Sequence, residues 1–422
     1  MKPGFIALLA LNGNSSIAAE ENPLDIIEEA RSQIEFAPIG AHHGGFIVYP
    51  ELIYSLNYDD NILATSSNKE SSYVSQLIPS VSARSNWNNH ALNFNASSTM
   101  VKNHDFSSED VIDLTLSTDG KLDISRNKKL FSGITLSRKH ISRTTPNDFR
   151  GIEPTQFNSY RIFTRYQQQS GRYINTVNLS VTEKKFRDVL AIRQNLPVLI
   201  STSDRDRTEV ELNYRAGYQY IRNDQIYLSV RHFFKDYNKI QSATGFDLNS
   251  GGLEISAGAS FEYNDLISGD LSLGYRKQNY KEPLVDIHSP VFHAALNWEV
   301  THLTTTNLVI DRTIQEAIDS SFSGYTATSL ALGLVHEYQK NLLFNLSLQF
   351  GNERYSARNA NNRTDKTFNL SAGSSYKVNQ NLIFMVRYDR SNRESEINAS
   401  SISSTNFDFD KNLISFLLQL QY

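Results

Sequence analysis

The sequence contains no cysteine, which excludes disulfides, thiolate nucleophiles and cysteine-ligated zinc together. It has no stretch of ~18 consecutive apolar residues, so no helix is available to cross a bilayer. Arginine and lysine form no block and the net charge is −4, a balance that leaves no electrostatic footprint for nucleic acid. Catalytic signatures are missing as well: there is no G-x-S-x-G, no H-E-x-x-H and no glycine-rich phosphate loop. The ten histidines, among them His90, His140, His232, His293, His302 and His336, are scattered with no matching serine motif. His42 and His43 are adjacent but lack a third ligand. No enzymatic activity, metal or cofactor is expected.

Apolar residues are also scarce, at 39% of the chain with a mean hydropathy of −0.42. Scarcity of this kind is compatible with a membrane protein built of strands, because a transmembrane strand spends only every second residue on lipid. Aromatic residues are plentiful for so polar a chain, with 21 Tyr and 23 Phe against 2 Trp.

The N-terminus reads as an export signal. Lys2 supplies a positive charge, residues 5–11 (FIALLAL) an apolar core, and Ser16-Ile17-Ala18 or Ile17-Ala18-Ala19 a small-residue cleavage site. Residues 1–19 are therefore expected to be a signal peptide, 20–44 a periplasmic lead or plug segment, and 45–422 the main domain. In the lead, Asn22-Pro23 could cap a short helix carrying Leu24, Ile27 and Ala30.

From residue 46 onward one unit repeats. Segments with a period of two, near the ~9–11 residues that span a bilayer on a tilt, recur about 18 times. The joins between them alternate in length. Short ones, such as NWNN, RNKK, QQSG, RND, YND, YQKN and KVNQ, follow every even segment. Long polar ones follow the odd segments, for example 59–72, 143–156, 186–207, 235–251, 279–290, 351–366 and 390–412. A soluble sandwich has no reason to keep that parity. A membrane barrel has short periplasmic turns on one rim and long extracellular loops on the other. The expected fold is an all-β, transmembrane, antiparallel up-and-down barrel of about 18 strands in the bacterial outer membrane. The last segment, NLISFLLQLQY (412–422), ends on an aromatic residue. It resembles the closing strand that barrel-assembly machinery reads, through Phe416, Leu418, Leu420 and Tyr422.

Alternation also assigns faces. Tyr160, Ile162 and Tyr166 oppose Arg161 and Arg165; Val210, Leu212 and Tyr214 oppose Glu209, Glu211 and Arg215; Leu271, Leu273 and Tyr275 oppose Arg276; Leu382, Phe384, Val386 and Tyr388 oppose Arg387. Arginine or lysine on lipid costs ~2–4 kcal/mol at the midplane, so the charged faces belong to the lumen. The expected lumen-lining residues are Arg161, Arg165, Glu209, Glu211, Arg215, Arg231, Arg276, Glu299 and Arg387. Tyr166, Tyr214, Tyr275, Trp298, Tyr376, Tyr388 and Tyr422 are available for interfacial girdles. A wall of both signs, with Ser, Asn and Gln between, suits a hydrated, polyhydroxylated solute.

Several stretches resemble a known family. YPELIYSLNYDDNIL (49–63), DRDRTEVELNYRAGYQY (204–220), FKDYN, GYRKQNYKEPL and LNWEVTHLTTTNLVIDRTIQEA (296–317) are similar to segments of a family of β-barrel porins found beside exopolysaccharide gene clusters. The resemblance covers roughly 45–422 and carries no catalytic residue. It implies an outer-membrane conduit for polysaccharide export, working with a short periplasmic polysaccharide-export protein and set in lipid and lipopolysaccharide. Two other functions fit the same barrel: a general or sugar-selective uptake porin, and a structural or adhesive surface protein. A long third loop folded into the lumen would favour the uptake porin, with 143–156 and 186–207 as candidates.

Overall fold

The computed structural model describes residues 36–145, 151–193, 196–221, 223–242, 244–264, 266–317, 322–357, 363–397 and 407–422. The expected signal peptide and most of the lead segment lie outside the described residues. The strands are β1 (Ala41–His43), β2 (Phe46–Asp59), β3 (Ser72–Ser85), β4 (Ala91–Asn103), β5 (Val111–Ser125), β6 (Lys128–His140), β7 (Gln156–Ser170) and β8 (Tyr173–Phe186). They continue with β9 (Val189–Arg193), β10 (Leu196–Ile200), β11 (Arg207–Gln219), β12 (Gln225–Tyr237), β13 (Ser250–Tyr263), β14 (Ile267–Tyr280) and β15 (Ile287–Thr301). The last are β16 (Thr304–Glu316), β17 (Phe322–Gln339), β18 (Leu342–Ala357), β19 (Arg363–Lys377), β20 (Leu382–Ile397) and β21 (Phe409–Gln421).

Strands β2–β8 and β11–β21 form one closed, antiparallel barrel of 18 strands. Each pairs with its sequence neighbour, β8 pairs with β11, and β21 returns to β2 from Glu51↔Gln421 to Asp59↔Leu413. Closure removes the sheet edge, which in lipid would leave backbone groups unpaired at several kcal/mol each. Loop 60–71 reinforces the seam: Asn61 is fully buried and its amide donates to the Asp410 carbonyl, while Lys69 pairs with Asp410 at 2.7 Å.

The expected faces hold. Along β2, Leu52, Tyr54, Leu56 and Tyr58 point outward, and Ser55, Asn57 and Asp59 are buried inward. On the outward face of β14, Leu273 is 66% exposed to what the membrane fills. Two aromatic girdles follow. Trp298, Tyr376 and Tyr422 lie exposed near the short-turn rim with Tyr173, Tyr263 and Tyr338. Tyr275 lies toward the opposite rim with Tyr58, Tyr73 and Tyr160. Tyr166, Tyr214 and Tyr388 stand deeper in their strands. Phe416, Leu420 and Tyr422 on the closing strand are exposed outward.

Three differences from the sequence reading matter. Barrel strands run 13 to 18 residues (β16 and β17, for example), beyond the bilayer-spanning length. The loops are shorter in consequence: β18 continues to Ala357, β19 starts at Arg363, and β20 runs to Ile397. The strand tips rise above the lipid, where alternation loses its apolar half and becomes illegible, while ladder hydrogen bonds still hold them. Loop 187–206 folds into a hairpin of its own, β9 on β10. The sheet also begins before Gly45, because β1 pairs with the start of β2.

Candidate functional site: the barrel lumen

The inward face of β8 and β11–β14 is a connected charge network. At its extracellular end Glu209 accepts from Arg207 Nε at 2.7 Å and Lys184 Nζ at 3.3 Å. One level down, Arg231 lies 3.3 Å from Glu211 and 3.6 Å from Glu254, and Arg276 lies 3.9 Å from Glu254. Lower still, Arg215 pairs with Asp270 at 3.3 Å, and Tyr227 Oη donates to the same carboxylate at 2.7 Å. Aromatic rings lie under the guanidinium groups: Arg215 stands 3.3 Å over the Tyr227 ring and Arg276 3.8 Å over Phe233. Such stacking holds a long cation flat on the wall and out of the passage. Removing one member leaves buried donors unanswered. E209Q is expected to cost ~1–3 kcal/mol of barrel stability, read as a lowered denaturant midpoint in detergent; an unchanged midpoint would show that Lys184 and Arg207 find other partners.

The network draws in a strand from farther along the wall. The β15–β16 ladder stops at Phe292↔Arg312, although β16 stays paired with β17 as far as Glu316↔Gly324. The tip of this hairpin therefore leans inside β15. There Glu316 accepts from Lys235 at 3.2 Å, from Ser250 at 3.1 Å and from the Gln278 amide. Gly324 permits the approach: a Cβ there would fall 2.7 Å from Tyr280 Oη.

The other half of the wall is different. Inward positions at mid-depth on β16–β19 carry Asn307, Gly333, Asn345, Ser347, Ser371 and Gly373, small and uncharged. Asn345 stands across from Gly373 and Asn307 across from Gly333, so each amide lies flat over a residue with no side chain. Charge returns only near the extracellular rim. Arg363 Nε donates to Asp365 at 2.7 Å, and its guanidinium stacks on Phe407 at 3.9 Å. Arg393 sits 3.8 Å from Asp365.

Between the two halves comes the third long loop, 141–155. It leaves β6, yet its Thr144 carbonyl accepts from Arg393 Nη1 on β20 at 2.6 Å. Around the ring through β21 and β2, β6 and β20 are six strands apart, so the loop reaches through the interior to the far wall. Its root is fixed by Arg143, which donates Nε to Glu109 at 2.9 Å, and by Ile141, fully buried against Phe157 and Phe186. Its returning limb pairs with the hairpin of the next loop, Ile152 N–H to the Leu190 carbonyl at 2.7 Å. The two candidate loops thus brace one another.

Outside the membrane, charge is tied locally. Burial raises the Asp247 carboxyl, but Lys281 at 2.5 Å and the Asn249 N–H outweigh it and hold the group below the usual carboxylate range. That tie is at full strength above the ordinary aspartate pKa and is lost only as pH falls through the lowered one. Burial pushes the Asp206 carboxyl up despite the Phe186 N–H at 2.7 Å.

Of the nine expected lumen residues, the structure joins Glu209, Glu211, Arg215, Arg231 and Arg276 in the network. Arg161 and Arg165 face inward on β7 beside it. Arg387 pairs along its own strand with Asp389 at 2.8 Å, and Glu299 lies exposed at the periplasmic mouth, outside the network. Sequence reasoning missed Lys184, Arg207, Lys235, Glu254, Asp270, Glu316, Arg363 and Arg393. Inward parity within recognised strands could have found Lys184, Glu254 and Asp270. Lys235, Arg363 and Arg393 had been placed in loops, as had Arg207 at a loop boundary.

Residues 34–421 match the family described as "Putative beta-barrel porin 2". The chain belongs to that family. It is a β-barrel porin of the bacterial outer membrane. No curated protein matches it. Among solved structures it is similar to the siderophore receptor PirA from Acinetobacter baumannii, at 8% identity and TM-score 0.47, covering 89% of this chain and 80% of that one. It is also similar to OccK2 (OpdF) from Pseudomonas aeruginosa, at 11% identity and TM-score 0.46, covering 89% and 98%. OpdK from the same organism, solved with vanillate, matches at 11% identity and TM-score 0.45, covering 89% and 99%. At these identities the likeness concerns the barrel and not what passes through it.

Proposed function

We propose that this porin is a passive channel for small hydrated solutes, with loop 141–155 as its constriction. The carrying observation is the hydrogen bond from Arg393 to the Thr144 carbonyl, which anchors the loop to the far wall. A loop held on both sides divides the passage and sets an upper size for what diffuses through it. The inward β16–β17 tip narrows the same extracellular half. Below them, the amides and hydroxyls of β16–β19 offer a solute exchangeable hydrogen bonds in place of its water, at little cost either way.

The test is swelling of proteoliposomes with neutral sugars of increasing size. Monosaccharides are expected to enter freely and tetrasaccharides to be excluded. Equal rates for both would remove the constriction from the reading. The polysaccharide conduit implied by the family resemblance is the second reading, favoured by the long neutral wall along β16–β19. It requires the loop to leave Arg393 while polymer passes. A strain lacking the chain separates the two: lost surface polysaccharide with normal sugar uptake supports the conduit, and the reverse supports the diffusion channel.

A further inference from the structure

Three consecutive inward positions on β7 carry Arg161, Phe163 and Arg165, directly below the returning limb of loop 141–155. Their surroundings differ from the rest of the charged wall. Elsewhere in this sector the carboxylates are committed: Glu209 to Lys184 and Arg207, Glu211 and Glu254 to Arg231, Asp270 to Arg215, Glu316 to Lys235. Around the barrel, one row of paired residues runs Arg165, Asn178, Asn213, Arg231, Glu254, Arg276. Its acid stands between the two distant arginines, and the neighbours of Arg165 are amides. Among the described residues no carboxylate lies within 4.0 Å of Arg165, whose guanidinium instead stands 5.9 Å from the Phe131 ring centroid. Arg161 stands 5.8 Å from the ring of Phe163, between the two cations. The Phe163 ring lies against Gly133, where a Cβ would come within 2.6 Å of it. Glycine thus lets the ring settle onto the wall, as a floor between two cations.

From this geometry we infer that Arg161, Phe163 and Arg165 form a selectivity site for small anionic sugars, that is, carboxylated or phosphorylated polyhydroxylated solutes. The inference rests on the channel reading above. The guanidinium groups receive the carboxylate or phosphate in charge-assisted hydrogen bonds. The ring receives the C–H face of the sugar, and the amides of Asn178 and Asn213 lie within the same belt for its hydroxyls. The facing strand, half-way around the ring, is β18, whose Asn345 and Ser347 are neutral. A solute between them meets cation on one side and hydrogen-bonding groups on the other, so anions are retained near β7 without a second charge to trap them.

The test uses the full chain in planar bilayers under a salt gradient, and in liposomes with glucuronate and glucose as probes. The wild-type barrel is expected to prefer chloride over potassium and to pass glucuronate faster than glucose. R161Q/R165Q is expected to lower the anion preference roughly threefold or more and to slow glucuronate alone. R161K/R165K keeps charge but loses the planar fork, so it is expected to keep the ion preference and lose part of the glucuronate advantage. Both arginines face water, so these barrels fold, as heat-modifiable migration would verify. A wild-type channel without anion preference, or a glutamine variant that retains it, overturns the selectivity site while leaving the channel standing. A wild-type barrel that does not conduct overturns the channel reading itself.

Discussion

R393A is expected to raise single-channel conductance about twofold or more, with noisier open levels, because the third loop loses its anchor on the far wall. The guanidinium serves two groups: Nη1 reaches the Thr144 carbonyl at 2.6 Å, and Nε lies 3.8 Å from Asp365. Asp365 keeps Arg363 at 2.7 Å when Arg393 is removed, so the wall retains its ion pair and only the loop is released. R393K is the informative companion. A lysine can still donate to one carbonyl but lacks the fork that reaches both groups, so its conductance should fall between those of the wild type and R393A. An unchanged conductance in a folded R393A barrel would mean that the loop is held by its root, at Arg143 and Ile141, and that the anchor on β20 is incidental.

L273R is expected to destabilise the barrel by ~2–4 kcal/mol in lipid, whereas arginine at the neighbouring Ser272 is expected to be tolerated. Leu273 lies mid-strand on the outward face of β14 and is 66% exposed; Ser272 faces the lumen. The two sites differ by one position along one strand. Their contrast in urea unfolding from liposomes therefore isolates which face meets hydrocarbon. Equal penalties would contradict the assignment of faces on which the luminal site depends.

Loop parity made the barrel legible. An alternation of short and long joins over the whole chain has no cause in a soluble sandwich, and the strand count and lipid face followed from counting residues by twos. Arg215, Arg231 and Arg276 were visible because they interrupt an otherwise apolar alternation. Glu316, Arg363 and Arg393 were not. They sit on strand tips above the membrane, where both faces are polar and a period of two leaves no trace. Glu299 shows the converse limit: its parity is inward, but position along the strand puts it at the mouth.

The sequence by itself determined the closed barrel, its orientation and the sign of each face, because lipid penalises any charge or unpaired backbone group turned toward it. That constraint acts on every residue separately and is written in the local pattern. Only the tertiary structure decided that loop 141–155 crosses to β20, that the β16–β17 tip leans inward, and which acid each arginine answers. Those contacts join residues such as Thr144 and Arg393, separated by 249 positions. They depend on how far a strand rises above the membrane and how a loop falls back into the lumen, for which no periodicity exists.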